Sequence, residues 1–135
     1  KKLFLEMHET VQALSGDGDP SLAAIGEQLA PAMASLEKAT TWMRETISTD
    51  PEAAAAGATQ YCRMFGFIAG GWLLAKSALR ATKLDGNGKT VSGIGMTKIQ
   101  IARFFVEQHL GPAAALLGPI TNARNTVMAL AEENF

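Results

Sequence analysis

Tyr61-Cys62-Arg63-Met64-Phe65-Gly66-Phe67-Ile68-Ala69-Gly70-Gly71-Trp72-Leu73-Leu74-Ala75-Lys76 is the stretch that decides the fold. Taken at steps of three and four, this segment and the residues after it carry two apolar stripes. Tyr61, Phe65, Ile68, Trp72, Ala75 and Leu79 form one, and Met64, Phe67, Gly71, Leu74 and Ala78 the other. That periodicity is helical. A helix apolar on more than one side belongs at the centre of its domain. Arg63 and Lys76 flank the apolar run, which is shorter than the ~20 residues a membrane span requires. Gly66, Gly70 and Gly71 each weaken a helix by ~1 kcal/mol relative to Ala. In return they offer a flat surface to a neighbouring backbone.

Working outward, Asp50-Pro51 opens this segment and Asp19-Pro20 opens the one before it. Asp caps free N–H groups, and Pro suits the first helical position. The spacing predicts four helical segments. The first, from about Lys2 to Leu14, carries Leu3, Phe4, Met7, Val11 and Leu14 on one face. The second runs from Pro20 to about Ile47 with Leu22, Ile25, Leu29, Ala32, Leu36, Ala39, Met43 and Ile47, and Pro31 should kink or split it. The third continues from Pro51 to about Lys83. The fourth runs from about Ile94 toward Ala131 with Ile99, Ala102, Val106, Leu110, Ala113, Leu117, Ile120, Val127 and Leu130. Gly111-Pro112 and Pro119 should bend or divide it. A glycine-rich loop, Asp85 to Gly95, separates the last two. No stretch alternates with period two for long enough to make a strand. The expected fold class is all-α, an antiparallel up-down four-helix bundle with long, Pro-kinked helices, spanning residues 1–135 as one domain.

Composition narrows the function classes. Hydrophobic residues make up 47% and charged residues 19%, which suits a globular, soluble chain rather than a disordered one. The net charge of −1 gives no basic excess for nucleic acid or an anionic membrane. Cys62 is the single cysteine, so no internal disulfide can form, and a reducing, cytoplasmic setting fits.

Chemical motifs fail on their spacing. Gly88-Lys89-Thr90 lacks the glycine a phosphate loop needs, because position 83 is Lys83. Asp85-Gly86-Asn87 begins like a calcium loop, but Lys89, Thr90 and Met96 stand where a ligand, the glycine and the closing glutamate belong. His8-Glu9-Thr10-Val11-Gln12 has Gln12 where a zinc helix needs its second histidine, and His109 is far away in sequence. Cys62, beside Tyr61, is expected to be an inert core thiol. The carboxylates are not paired at an inward-facing position, so acid–base chemistry has no candidate. Catalytic, cofactor-binding and metal-binding residues are therefore all expected to be none. Lys83, Lys89 and Lys98 can meet a phosphate as point charges, or form a solvated basic turn. The apolar faces exceed what a small bundle requires, and Phe4, Met7, Trp42, Phe104 and Phe105 are candidate interface residues.

The run Ala58-Thr59-Gln60-Tyr61-Cys62-Arg63-Met64-Phe65-Gly66-Phe67-Ile68-Ala69-Gly70-Gly71-Trp72-Leu73-Leu74-Ala75 resembles the central helix of the C-terminal extension domain in a bacterial branch of the acyl-CoA dehydrogenases. That branch includes enzymes acting on 3-methylmercaptopropionyl-CoA. Lys98-Ile99-Gln100-Ile101-Ala102-Arg103-Phe104-Phe105-Val106-Glu107-Gln108-His109-Leu110-Gly111-Pro112 resembles that domain's next helix, and the acidic ending Glu132-Glu133-Asn134-Phe135 resembles its tail. The resemblance covers about residues 5 to 131. The loop from Asp85 to Gly95 departs from it.

The resemblance implies a parent flavoprotein that removes two hydrogens from the α and β carbons of an acyl-CoA thioester. FAD and the glutamate base would belong to preceding dehydrogenase domains, and the partners would be those domains and further copies in a homo-oligomer. The chain opens Lys-Lys-Leu-Phe, and the expectation is a non-catalytic C-terminal piece of such an enzyme of fatty acid metabolism. The alternative is a stand-alone helical protein-interaction module that takes a partner helix in a groove.

Overall fold

The computed structural model describes residues 2–84, 93–127 and 129. No strand occurs among them. Six helices follow in order: α1 (Lys2–Gly16), α2 (Pro20–Thr49), α3 (Pro51–Leu84), α4 (Gly93–Ala115), α5 (Leu117–Asn122) and α6 (Arg124–Val127). No helix among the described residues is long and apolar enough to cross a membrane. Residues 85–92 of the glycine-rich loop, Lys89 included, and the acidic tail lie outside the described residues.

Both Asp-Pro pairs act as helix starts. The Asp19 carboxylate accepts from the backbone N–H of Ser21 at 2.7 Å and of Leu22 at 3.4 Å, with Pro20 opening α2. Asp50 alone separates α2 from α3. Its backbone N–H donates to the Thr46 carbonyl at 2.7 Å, and its carboxylate accepts from Ala53 N–H at 3.2 Å. The same residue thus ends one helix and caps the next, and so fixes the reversal between them.

The core is one continuous cluster. Met7 and Leu14 reach it from α1, Leu22, Ile25, Leu29, Met33 and Leu36 from α2, and Met64, Ile68, Trp72 and Ala75 from α3. Ile99, Val106 and Leu110 of α4 and Ile120 of α5 complete it. Each fully buried large aliphatic side chain contributes ~1.5–3 kcal/mol relative to exposure. α3 touches every other helix, as a helix with two apolar stripes must. One polar contact threads this core. The Trp72 indole N–H donates to the Thr10 hydroxyl at 2.9 Å, and that hydroxyl donates to the Glu6 carbonyl at 2.8 Å. The Lys76 ammonium lies 4.5 Å above the Trp72 ring, a cation–π contact. At the opposite end of α3, Tyr61 and Thr40 share a hydroxyl pair at 3.0 Å.

Three expectations need correction, and the fourth segment divides where a proline was expected to act. Pro31 does not split α2, which runs unbroken from Pro20 to Thr49. Pro31 and Glu27 are both exposed, so water can satisfy the carbonyl that proline leaves free, while the buried stripe continues beneath. The fourth segment divides at Pro119, one of the outcomes expected there: α4 ends at Ala115, since Pro119 has no N–H for the Ala115 carbonyl and sits instead in the first turn of α5, while Pro112 lies within α4. Cys62 is exposed, not a core thiol. It lies two positions from buried Met64, and at ~100° per residue that turns it by about 200°, to the far side of the helix. The glycines of α3 also behave differently from expectation. Gly70 faces the Phe105 ring and Gly71 the Leu110 side chain, while Gly66 has open space. The glycine that meets a backbone is Gly57, where a Cβ would stand 2.7 Å from the Ile120 carbonyl oxygen as α5 crosses α3.

Two outcomes follow for stability. Thr10→Val keeps the shape but leaves the buried Trp72 N–H without its acceptor, and should lower urea-unfolding stability by ~1–3 kcal/mol with an unchanged slope. Gly57→Ala should lower the thermal midpoint, because α5 backbone must move, whereas Gly66→Ala should raise it, gaining up to ~1 kcal/mol of helix propensity. Circular-dichroism melts of the two variants check the contrast.

Candidate functional site

α4 turns Ile99, Ala102, Val106, Leu110 and Ala113 inward. Its other side is apolar as well, and that is unusual for a helix facing solvent. Phe104 is 63% exposed and Ile101 51%, and beside them on α3 Leu73 is 57% exposed. Phe67 is also exposed, and Phe105 is half-buried with its ring against Gly70. Phe67 of α3 stacks on the His109 ring of α4 at 5.5 Å, and Gly70 meets Phe105, so the two helices run antiparallel here. These apolar side chains lie on the outside of the α3–α4 pair, interspersed on α4 with exposed Gln100, Arg103, Glu107 and Gln108.

His109 sits within this face rather than at a metal or a base. Its ring centroid is 4.8 Å from that of Phe105 and 6.5 Å edge-on from that of Phe104, in addition to the Phe67 stack. Phe67 and Phe105 are 6.4 Å apart. Such ring pairs each add ~0.5–1.5 kcal/mol beyond burial. They hold the face in a fixed shape, as a docking surface requires. Beside the rings, Arg103 donates to Glu107 one turn along α4 at 2.7 Å. That hydrogen bond, together with the charge of the carboxylate, raises the Arg103 pKa above the usual guanidinium value.

The five candidate interface residues fall into three places. Phe104 and Phe105 belong to the α3–α4 face. Phe4 and Trp42 are half-buried on the α1–α2 side, where Phe4 lines a shallow groove with Glu37, Thr40, Thr41 and Arg44, and Trp42 lies along the outer surface of α2. Met7 has 0% exposure and is part of the chain's own core, so it drops out of the set. Sequence reading overlooked Phe67, Leu73, Ile101 and His109. The available signal was the number of apolar residues on α4 that its inward stripe leaves over.

Two further ion pairs brace the fold. His8 Nε2 is 2.7 Å from Glu37 Oε1, an exposed pair bracing α1 on α2. Arg124 of α6 pairs with the Asp50 carboxylate and lies 3.7 Å from Glu52, so it ties the end of the described chain to the α2–α3 reversal. Among the described residues no three His, Cys, Asp or Glu side chains come together. Every buried side-chain nitrogen or oxygen there has a hydrogen-bond partner.

The described residues form a helical domain with exposed apolar side chains on the outside of the α3–α4 pair. No curated protein matches the chain. A family model described as acetyl-CoA dehydrogenase C-terminal like matches residues 3–131, nearly the whole chain, and the protein belongs to this family of acyl-CoA dehydrogenase C-terminal domains.

Proposed function

We propose that the chain is the non-catalytic C-terminal domain of an FAD-dependent acyl-CoA dehydrogenase, and that it supports the catalytic region and subunit assembly through the α3–α4 face. The observation that carries this reading is the exposed row of Leu73, Ile101 and Phe104 on a domain of this family. Exposed apolar surface of this kind is what domain and subunit contacts use. The dehydrogenation of an acyl-CoA thioester, and the flavin that takes its hydrogens, are assigned to preceding domains. The branch acting on 3-methylmercaptopropionyl-CoA is the proposed relative, on the strength of the two helix runs around Gly70-Gly71 and Phe104-Phe105. We read the four long helices as an antiparallel up-down bundle with α5 and α6 closing one end. A cytoplasmic setting is proposed from the single cysteine.

Two measurements test this. The complete parent gene product should show a flavin spectrum that bleaches with one of a panel of acyl-CoA thioesters. A colourless product, unchanged by thioester and by added FAD, would leave a stand-alone interaction module instead. The 135-residue chain should also self-associate or bind a hydrophobic dye through the α3–α4 face. Phe104→Asp should abolish this in sedimentation and fluorescence assays while changing folding stability by no more than ~0.5 kcal/mol, as expected of an exposed site.

A further inference from the structure

We propose that the groove between the C-terminal half of α3 and the start of α4 binds the phosphate group of a phosphorylated ligand. The groove is about 530 Å³ and is lined by Leu73, Lys76, Ser77, Arg80, Ala81 and Lys98. Three cations and a hydroxyl thus share one concavity, and its described lining holds no carboxylate. Composition does not force this, since the chain has 13 acidic and 12 basic residues. Arg103 is paired with Glu107, and Arg124 with Asp50 and Glu52, whereas Lys2, Lys38, Arg44 and Arg63 stand without an ion pair among the described residues. What sets the groove apart is that three cations share one lining. Among the described residues no ion pair engages Lys76, Arg80 or Lys98.

Lys76 and Arg80 also line the neighbouring α1–α3 groove with Glu6 and Glu9, without an ion pair among the described residues. Lys76 rests its ammonium over Trp72, which anchors its position. Lys98 enters from α4, in the second turn of a helix whose free N-terminal N–H groups also favour an anion. Gathering like charges in one groove is unfavourable until an anion joins them. A phosphate group matches this set of donors. Arg80 can offer two parallel N–H groups, Lys76 and Lys98 act as point charges, and Ser77 supplies an O–H. Exposed Leu73 and buried Ala81 give the groove apolar lining, which suits the carbon portion of a phosphate ester. A soluble phosphate ester and a phospholipid headgroup share this chemistry. The site does not depend on the dehydrogenase parentage.

The test is titration of the 135-residue chain with inorganic pyrophosphate, followed by backbone amide NMR. In parallel, co-sedimentation is measured with phosphatidylcholine vesicles with and without phosphatidylglycerol. Saturable shifts confined to the region of residues 73–81 and 98 are expected. Arg80→Gln and Lys98→Gln, both at exposed positions, should each weaken binding about tenfold, the loss of one charge-assisted hydrogen bond. Saturation by pyrophosphate without vesicle binding assigns the site to a soluble ester. Sedimentation that requires phosphatidylglycerol and is lost in Arg80→Gln assigns it to a headgroup. No response in either arm, or binding unchanged in both variants, overturns the proposal.

Discussion

A 34-residue helix with apolar residues on two sides cannot face water along its length, and α3 escapes this only by touching each of the other five helices. The rest of the structure is arranged by that need. α2 returns along α3 through the single residue Asp50, α1 reaches it through the Trp72–Thr10 hydrogen bond, and α5 crosses it at Gly57. Buried indole N–H groups demand a partner, and the Thr10 hydroxyl answers this one from a helix that has few other ways to fix its register on α3. Arg124 on Asp50 then draws the end of the described chain onto the same reversal.

One flank of α3 is not covered. Beside α4 it leaves Phe67 and Leu73 next to Ile101, Phe104 and Phe105, with His109 packed among the rings. A chain able to close its own core so completely, with no buried polar side-chain atom lacking a partner among the described residues, has no internal reason to leave that surface apolar. Arg103 and Glu107 pair with each other beside it, while Lys76, Arg80 and Lys98 gather at its Leu73 end. Membership of an acyl-CoA dehydrogenase C-terminal family is what makes a neighbouring domain or subunit the natural occupant.

Much of this could be read from residue spacing. Asp19-Pro20 and Asp50-Pro51 mark helix starts because capping is local chemistry, and most of the inward stripes of α2 and α4 follows from period, although Ile47 and Val127 at the ends of the expected stripes are exposed. What depended on three-dimensional surroundings was less legible. Pro31 is tolerated because its side of α2 faces water, while Pro119 ends a helix because its missing N–H falls where α4 would have to continue. Cys62 is adjacent to Tyr61 in sequence yet on the outer side of α3, so adjacency misled where angle would have served. Met7 and Phe104 look alike as large apolar residues on helices. Only the packing of α1 against α2 and α3 separates a core methionine from an exposed phenylalanine.

If the chain is the C-terminal domain of a dehydrogenase as proposed, the α3–α4 face is covered in the parent enzyme. Hydroxyl-radical footprinting reads this directly, by comparing oxidation of individual side chains in the 135-residue chain and in the full-length parent. The account predicts strong protection of Leu73 and Phe104 in the parent, with exposed Leu5 and Ile47 on the other helices unchanged. Equal oxidation of Leu73 and Phe104 in both samples would contradict it.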